Sequence, residues 1–150
     1  MDIEEAERIL AGLFSGTAET YDCCDGVFFE PLAEGLVTKA EIGEGFRVLD
    51  LGTGTGIAAF KALERTGSNG CVLGIDVSSG LVAVAEEKAR GIGAENVEFK
   101  VMSMGSLDLP AGSFDRVIGN FSLCCSCHYE KDLKEAYKVL KPGGRLTYNH

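Results

Sequence analysis

The sequence lacks the two features that would most readily place a chain in a membrane or on nucleic acid. None of its apolar runs reaches about eighteen residues, so a membrane-spanning helix is excluded. Basic residues are scarce: 14 Lys and Arg stand against 23 Asp and Glu, a formal net charge of -9. Because phosphate backbones are bound by clustered cations, this charge argues against a nucleic-acid partner. The expected partner is a small molecule.

The remaining composition is that of an ordinary soluble domain. With 150 residues, 45% hydrophobic and 25% charged, the chain suits one domain around a single core. Its first residues are acidic where a secretory signal would be basic, so we expect a cytoplasmic location. Thiols stay reduced there, and the adjacent pairs Cys23-Cys24 and Cys124-Cys125 cannot each bridge internally without strain. We therefore predict no structural disulfide.

Apolar spacing separates a helical amino-terminal part from an alternating remainder. It predicts helices over 2–14 and 27–39, with a break at 15–17. Strands are then expected at 46–50, 71–76, 97–101, 114–119 and 145–148, and helices at 57–65, 79–90 and 131–140. Residues 141–144, Lys-Pro-Gly-Gly, are expected to stop the last helix. This alternation predicts an α/β fold with a doubly wound, mostly parallel sheet, whose ligands bind beyond the carboxyl ends of its strands.

A glycine-rich loop follows the first of these strands. Gly52, Gly54 and Gly56 allow a left-handed backbone, and they let a ligand approach without interference from a Cβ atom. Asp76 ends the next strand, where a carboxylate can accept hydrogen bonds from both hydroxyls of a ribose. The alternatives are a plain tight turn for the loop and a helix-capping role for Asp76.

Two cofactors would suit such a loop and acid. A dinucleotide motif would have its third glycine at position 57, which is Ile57. Asp50, directly before the loop, would repel a pyrophosphate, whereas it can orient the loop amides and a cationic methionine group. The residues therefore favour S-adenosylmethionine over a dinucleotide.

Four segments in order resemble the motifs of class I S-adenosylmethionine-dependent methyltransferases, with most similarity to the ubiquinone/menaquinone-biosynthesis type. They are VLDLGTGTG at 48–56, GIDVS at 74–78, LPAGSFDRVI at 109–118 and EAYKVLKPGGRL at 135–146. The resemblance implies a Rossmann-like fold and methyl transfer to a small molecule. It also implies a helical lid over residues 1–40 and a cofactor-binding core over 46–150.

The resemblance further implies a role for each matching residue. The glycine loop would pack on the methionine part of the cofactor, Asp76 would hold the ribose, and Val77 would contact adenine. Asn120 would face the reacting methyl group, and Tyr21 of the lid would close over the ligand. The full set expected to bind the cofactor is Tyr21, Asp50, Gly52, Thr53, Gly54, Gly56, Asp76, Val77, Met104, Gly105 and Asn120.

One expected residue is missing from this pattern. The family usually places an aspartate after the third strand to accept a hydrogen bond from the adenine amino group. The aligned positions here are Ser103 and Gly105, neither of which is acidic. The Ser103 hydroxyl or the backbone of residues 104–106 is left to make this contact.

A cysteine-rich loop at 121–129 follows the fourth strand and is expected to form the floor of the acceptor site. Its thiols are interpreted first as small buried apolar groups. The alternative is contact with a thiophilic substrate such as trivalent arsenic. A metal site is not predicted, because Cys-Cys-x-Cys-His is not a usual zinc spacing. His128 is the best candidate base, although in-line methyl transfer depends mainly on alignment and exclusion of water.

The chain ends just after the fifth expected strand, whereas the resemblance implies a seven-stranded sheet. We therefore expect a fold that lacks the last two strands, and one alternative function is binding of the cofactor without methylation. The fifth strand would then have an unpaired edge, which predicts a homo-oligomer formed through that edge.

Overall fold

The computed structural model describes residues 2–150, apart from the side chains of residues 3 and 23–27. Helices α1 (Ile3–Thr17) and α2 (Tyr21–Lys39) open the chain. Then follow β1 (Arg47–Leu51), α3 (Ile57–Thr66), β2 (Cys71–Asp76), α4 (Ser79–Gly91), β3 (Val97–Val101), β4 (Phe114–Asn120), a 3-10 helix (Leu123–Cys125), α5 (Tyr129–Val139) and β5 (Leu140–Asn149). Within this described part, no helix combines the length and the apolar character needed to cross a membrane.

The five strands form one parallel sheet in the order β3-β2-β1-β4-β5. Side chains alternate between its faces: Val48 of β1 packs with α2, α3 and α4, while Leu49 packs with α5 on the opposite face. Both faces are therefore covered, which confirms the predicted α/β fold with a doubly wound sheet. The chain order reverses between β1 and β4, so the loop after β1 lies at the switch point of the sheet.

The amino-terminal helices differ from the prediction. Helix α1 continues through residues 15–17, where a break was expected, and α2 begins at Tyr21 rather than at residue 27. The Tyr21 ring packs edge-on against Phe14 and stacks on Phe29. The contact with Phe14 joins the two helices, the contact with Phe29 lies within α2, and together they stabilise a first helical turn that local propensity alone favours only weakly.

The Lys-Pro-Gly-Gly segment also differs from the prediction. It ends the last helix, as expected, but residues 141–144 belong to β5 instead of preceding it. The register moves from Phe114 opposite Leu140 to Arg116 opposite Arg145, so extra residues bulge out of β5. Gly143, with φ of 78°, permits this bulge, and Pro142 is tolerated because it lies within an irregular part of the ladder.

Gly74 provides a test of the packing between β2, β3 and the glycine loop. A Cβ atom at this position would lie 2.6 Å from Cδ1 of Phe99 and 2.6 Å from Oγ1 of Thr53. We expect Gly74→Ala to lower the free energy of unfolding by about 1–3 kcal/mol in urea denaturation, because the added methyl group overpacks the core.

The matched control is Gly12→Ala in the middle of α1, where no atom of the described residues lies within 4 Å of the Cβ position. Alanine is favoured over glycine within a helix by about 1 kcal/mol, so this variant should be at least as stable as the parent. Equal stability of the two variants would contradict the tight packing around Gly74.

Candidate functional site

The loops at the carboxyl ends of β1, β2, β3 and β4 open into one cavity of about 490 Å³, and α1 and α2 form its opposite wall. Nine of the eleven residues predicted to bind a cofactor line this cavity, and His128 lines it as well. The nine are Tyr21, Gly52, Thr53, Gly54, Asp76, Val77, Met104, Gly105 and Asn120. Asp50 and Gly56 do not line it.

The glycine loop brings backbone to the cavity without side-chain obstruction. Gly52 has φ of 61°, and a Cβ atom there would overlap the Cβ of Ser122. Gly54 has φ of 56°, and no atom of the described residues lies within 4 Å of its Cβ position. A larger residue at either position would be strained by the left-handed backbone, and at Gly54 its side chain would enter the space open to a ligand.

Asp76 lies where this loop meets the end of β2. Its carboxylate is 9% exposed and accepts hydrogen bonds from the amides of Gly54 and Ser78, each at 2.9 Å. Burial raises the pKa of Asp76, whereas the bonds from these amides lower it. Each carboxylate oxygen has a second lone pair, so the fixed carboxylate can also accept hydrogen bonds from ligand hydroxyls.

Asp50 lies beneath the loop rather than in the cavity. It is 1% exposed; Oδ2 accepts a hydrogen bond of 2.7 Å from the Thr53 hydroxyl, and Oδ1 has no hydrogen-bond partner among the described residues. Burial raises the pKa of Asp50 to about 7, opposed by the Thr53 hydroxyl and reinforced by the charge of Asp76. Its visible role is to hold the loop from below.

Gly56 does not line the cavity and instead supports the packing of α3. It is the left-handed residue that precedes α3, with φ of 89°. A Cβ atom there would lie 2.8 Å from the Phe60 ring and 3.1 Å from the Phe99 ring. Glycine at 56 therefore allows close packing of the helix on the sheet.

An ionic contact that the sequence did not reveal ties α2 to the glycine loop. Asp22 accepts a hydrogen bond of 2.6 Å from the Thr55 hydroxyl, and it forms an ion pair with Lys88 of α4. The Lys88 ammonium also donates to the Thr55 carbonyl at 3.2 Å. Three elements that are distant in sequence are thereby joined beside the cavity.

An aromatic wall, also absent from the sequence-based prediction, covers the side of the cavity formed by α1 and α2. It consists of Phe14, Tyr21, Phe28, Phe29 and Phe121, whose ring centroids lie 5.4 to 6.5 Å from their neighbours. Helical spacing predicts which lid residues are apolar, but it does not predict that they meet a residue following β4.

The end of β5 holds that residue in place. Phe121 has φ of 57°, a conformation that is uncommon for a bulky side chain, and its amide donates to Oδ1 of Asn149 at 2.8 Å. The Asn149 amide group in turn donates to Oδ1 of Asn120 at 2.9 Å. The last residues of the chain therefore orient both Asn120 and the aromatic wall.

The cysteine loop requires a correction. Cys124, Cys125 and Cys127 are exposed and line the cavity, so the prediction that they are buried apolar residues is wrong. The 3-10 helix buries Leu123 instead, which leaves the following cysteines on its outer side. Although Cys125 is exposed, partial desolvation by its surroundings, together with the neighbouring Cys124 thiol, raises the pKa of Cys125.

The remaining predictions for the cysteines concern disulfide bonds and a metal site. Cys71, Cys124, Cys125 and Cys127 are free thiols, while the side chains of Cys23 and Cys24 lie outside the described residues. Across the described side chains, no group of three His, Cys, Asp or Glu residues is arranged to hold a metal ion.

Two carboxylates that the sequence did not single out line the cavity near the end of β3. Glu7 of α1 accepts a hydrogen bond from the Ser103 hydroxyl, and Asp132 of α5 lies against Gly105. This end of the cavity therefore holds two carboxylates beside the Lys131 side chain, although the loop after β3 carries no acid between residues 102 and 107.

Comparisons with known proteins agree with this geometry. Residues 42–150 match a family described as a methyltransferase domain. Three curated relatives are similar over most of the chain. Aklanonic acid methyltransferase DauC of Streptomyces sp. (strain C5) is 36% identical, over 90% of this chain and 61% of that protein. An arsenite methyltransferase of Aquipseudomonas alcaligenes is 33% identical, over 90% of this chain and 46% of that protein, and ubiquinone/menaquinone biosynthesis C-methyltransferase UbiE of Francisella tularensis subsp. novicida is 32% identical, over 95% of this chain and 59% of that protein.

A solved structure is similar as well. A SAM-dependent methyltransferase from Aquifex aeolicus superimposes with a TM-score of 0.73 and 30% identity, over 77% of this chain and 62% of that one. The chain spans between 46% and 61% of the length of the three curated relatives.

The raised pKa of Asp50 predicts a pH-dependent effect of its replacement. Since the folded state holds the proton to about pH 7, the stability contributed by Asp50 is full below about pH 4 and is lost as the pH rises through 7. Asparagine cannot titrate. The stability of Asp50→Asn relative to the parent should therefore rise between about pH 4 and 8, by up to about 4 kcal/mol in urea denaturation.

Asp115 supplies a control, because its pKa is shifted in the direction opposite to that of Asp50. Partial burial acts to raise its pKa, but the Arg47 amide and the Lys141 ammonium, both at 2.8–2.9 Å, hold it below the usual value. The stability that Asp115 contributes is therefore lost as the pH falls, and Asp115→Asn should be more damaging at neutral than at acid pH. Parallel pH profiles for the two variants would contradict the assignment for Asp50.

Proposed function

Because this chain belongs to the methyltransferase-domain family, whose methyl donor is S-adenosylmethionine, we propose that the cavity binds this donor and that the whole protein methylates an apolar small molecule. The observation that carries the proposal is the Asp76 carboxylate, fixed at the cavity by the amides of Gly54 and Ser78. A ribose would be held by this acid, as the sequence led us to expect.

The electrostatics of the cavity suit this donor. Among the residues that line it, the three acids Asp76, Glu7 and Asp132 outnumber the cation Lys131. These acids favour a ligand that carries an ammonium and a sulfonium, and they disfavour a pyrophosphate. The open space at Gly54 lets the donor approach the backbone closely.

When bound, S-adenosylmethionine supplies a methyl group on a positively charged sulfur, which leaves as a neutral thioether. The protein's contribution is alignment: the glycine loop holds the amino-acid end, Asp76 the sugar and Val77 the base. Asn120, oriented by Asn149, lies on the side of the methyl group. We assign removal of a proton, for acceptors that must lose one, to His128 at the rim of the cavity.

The aromatic wall indicates the class of acceptor. Five aromatic rings enclose the lid side of the cavity, and Phe28 is 62% exposed. Rings arranged in this way favour a flat apolar molecule, because stacking adds to the free energy of burying apolar surface. Helices α1 and α2 then act as the lid that excludes water.

Titration with S-adenosylhomocysteine tests the donor site. We expect Asp76→Asn to bind this ligand about 10- to 100-fold more weakly than the parent by calorimetry, because a hydrogen bond to a charged group contributes about 1.5–3 kcal/mol. Asp108→Asn, at an exposed position that does not line the cavity, is the matched control and should retain the parent affinity. Unchanged affinity in Asp76→Asn, or thermal protection by NAD alone, would refute the proposal.

A second candidate acceptor is a thiophilic one such as trivalent arsenic, and it is favoured by a specific observation. Three exposed thiols, those of Cys124, Cys125 and Cys127, line the same cavity. Sγ atoms of Cys124 and Cys125 lie 4.0 Å apart, close enough for one soft atom to contact both. Similarity to an arsenite methyltransferase supports this alternative.

The two acceptor classes are separated by a triple variant, Cys124→Ser, Cys125→Ser and Cys127→Ser. If the acceptor is thiophilic, the variant should lose arsenite binding and methylation while its affinity for S-adenosylhomocysteine stays within about twofold of the parent. Cys71→Ser in β2, which lies outside the cavity, is the control. Arsenite methylation that survives the triple replacement would exclude the thiophilic acceptor.

The cytoplasmic location and the homo-oligomer formed through β5 stay predictions of the sequence. The absence of a nucleic-acid partner is a prediction of the same kind, and the net charge of -9 supports it.

A further inference from the structure

The loop after β3 makes room for a carboxylate from another element. A Cβ atom on Gly105 would lie 2.9 Å from Oδ1 of Asp132, which belongs to α5. That oxygen therefore occupies space that a side chain at position 105 would fill. Gly105 is buried, and both residues line the cavity.

Asp132 is buried, and only one of its two carboxylate oxygens accepts a hydrogen bond from a described residue. It is 3% exposed, and Oδ2 accepts a hydrogen bond from the Ser126 hydroxyl. Oδ1 accepts none from any described residue. Oδ1 is not one of the enclosed polar atoms that lack a partner among the described residues, which are Asp50 Oδ1, Ser122 Oγ and Thr147 Oγ1, so its acceptor site is open rather than enclosed. Asp132 therefore presents a free acceptor at the wall of the cavity.

The order of the strands places this acceptor at the far end of the proposed ligand. The glycine loop follows β1, Asp76 ends β2, and β3 is the next strand in the same direction. An amino-acid end on the loop and a ribose on Asp76 would therefore leave the base over residues 102–105. The donor that adenine offers there is its exocyclic amino group.

We propose that Asp132 accepts a hydrogen bond from the amino group of adenine and so makes the site selective for adenosine over inosine, an inference that rests on the proposed function. Helix α5 thereby contributes to base recognition, since the loop after β3 offers no carboxylate of its own between residues 102 and 107. Glycine at 105 is required because any side chain there would displace the Asp132 carboxylate.

Glu7 is the competing carboxylate at the same end of the cavity. Its carboxylate already accepts a hydrogen bond from Ser103, and the Ser103 oxygen accepts one from the Gly105 amide at 3.1 Å. Glu7 is thus part of the bonding that shapes the loop, whereas Oδ1 of Asp132 is free. Replacement of Glu7 is therefore the appropriate comparison.

Calorimetric titration with S-adenosylhomocysteine and its inosine analogue, S-inosylhomocysteine, tests the proposal. The analogue has a carbonyl oxygen in place of the amino group, so it would face the Asp132 carboxylate without a donor. We expect the parent to bind S-adenosylhomocysteine about 10- to 100-fold more tightly than the analogue. In Asp132→Asn, whose amide can donate to the carbonyl, this preference should fall to about twofold or invert.

Three further variants distinguish recognition from a structural role. Glu7→Gln should keep the parent preference, and so should Ser126→Ala, which removes the hydrogen bond to Oδ2 and the one that the Ser126 oxygen accepts from the His128 amide but leaves Oδ1 in place. Gly105→Ala retains the charge of Asp132 but displaces its carboxylate, so it should lower the preference as Asp132→Asn does. It also serves as the second test if Asp132→Asn does not fold.

The possible results are distinct. Equal affinity of the parent for the two ligands would overturn the proposal, and so would an unchanged preference in both Asp132→Asn and Gly105→Ala. Loss of preference in Glu7→Gln alone would assign recognition to Glu7 and overturn it as well. Failure of the parent to bind either ligand would instead refute the proposed function, and this inference with it.

Discussion

The site depends on one buried carboxylate that satisfies two backbone amides from different loops. Asp76 joins the amide of Gly54, beyond β1, to the amide of Ser78, at the start of α4. Since a buried charge is tolerated only when it is hydrogen-bonded, these bonds fix both loops relative to the sheet. The open backbone of the glycine loop and the entrance to α4 are thus held at the same edge of the cavity, ready for a ligand with hydroxyl groups.

The concentration of acids around this centre has an electrostatic cost. Burial raises the pKa values of Asp50, Asp76 and Asp132, and the charges of neighbouring acids add to this effect at Asp50 and Asp132. A ligand with positive charge would relieve part of that repulsion, which is consistent with a sulfonium donor. The site is thus built with less stability than a neutral core would have, a common property of binding sites.

The amino-terminal helices connect the donor site to the acceptor side. Asp22 bonds to Thr55 of the glycine loop and to Lys88 of α4, while Tyr21 beside it belongs to the aromatic wall. The first turn of α2 therefore contacts the glycine loop through the Asp22 carboxylate and lines the cavity with the Tyr21 ring. If α1 and α2 act as the proposed lid, their movement would change both contacts together and would alter the geometry of the glycine loop.

The sequence by itself determined the features that depend on neighbours along the chain. Alternation of apolar segments predicted the parallel sheet, glycine spacing predicted the left-handed loop, and the position of Asp76 at a strand end predicted its place at the cavity. Only the tertiary structure decided the features that depend on contacts between distant elements. Tyr21 begins α2 because it packs on Phe14, and the cysteines after β4 are exposed because Leu123 takes the buried position. Within α5, the aromatic Tyr137 is 81% exposed, whereas the charged Asp132 is buried against Gly105. Periodicity reports which faces of a helix are apolar, but the partner that meets each face is set by packing in three dimensions.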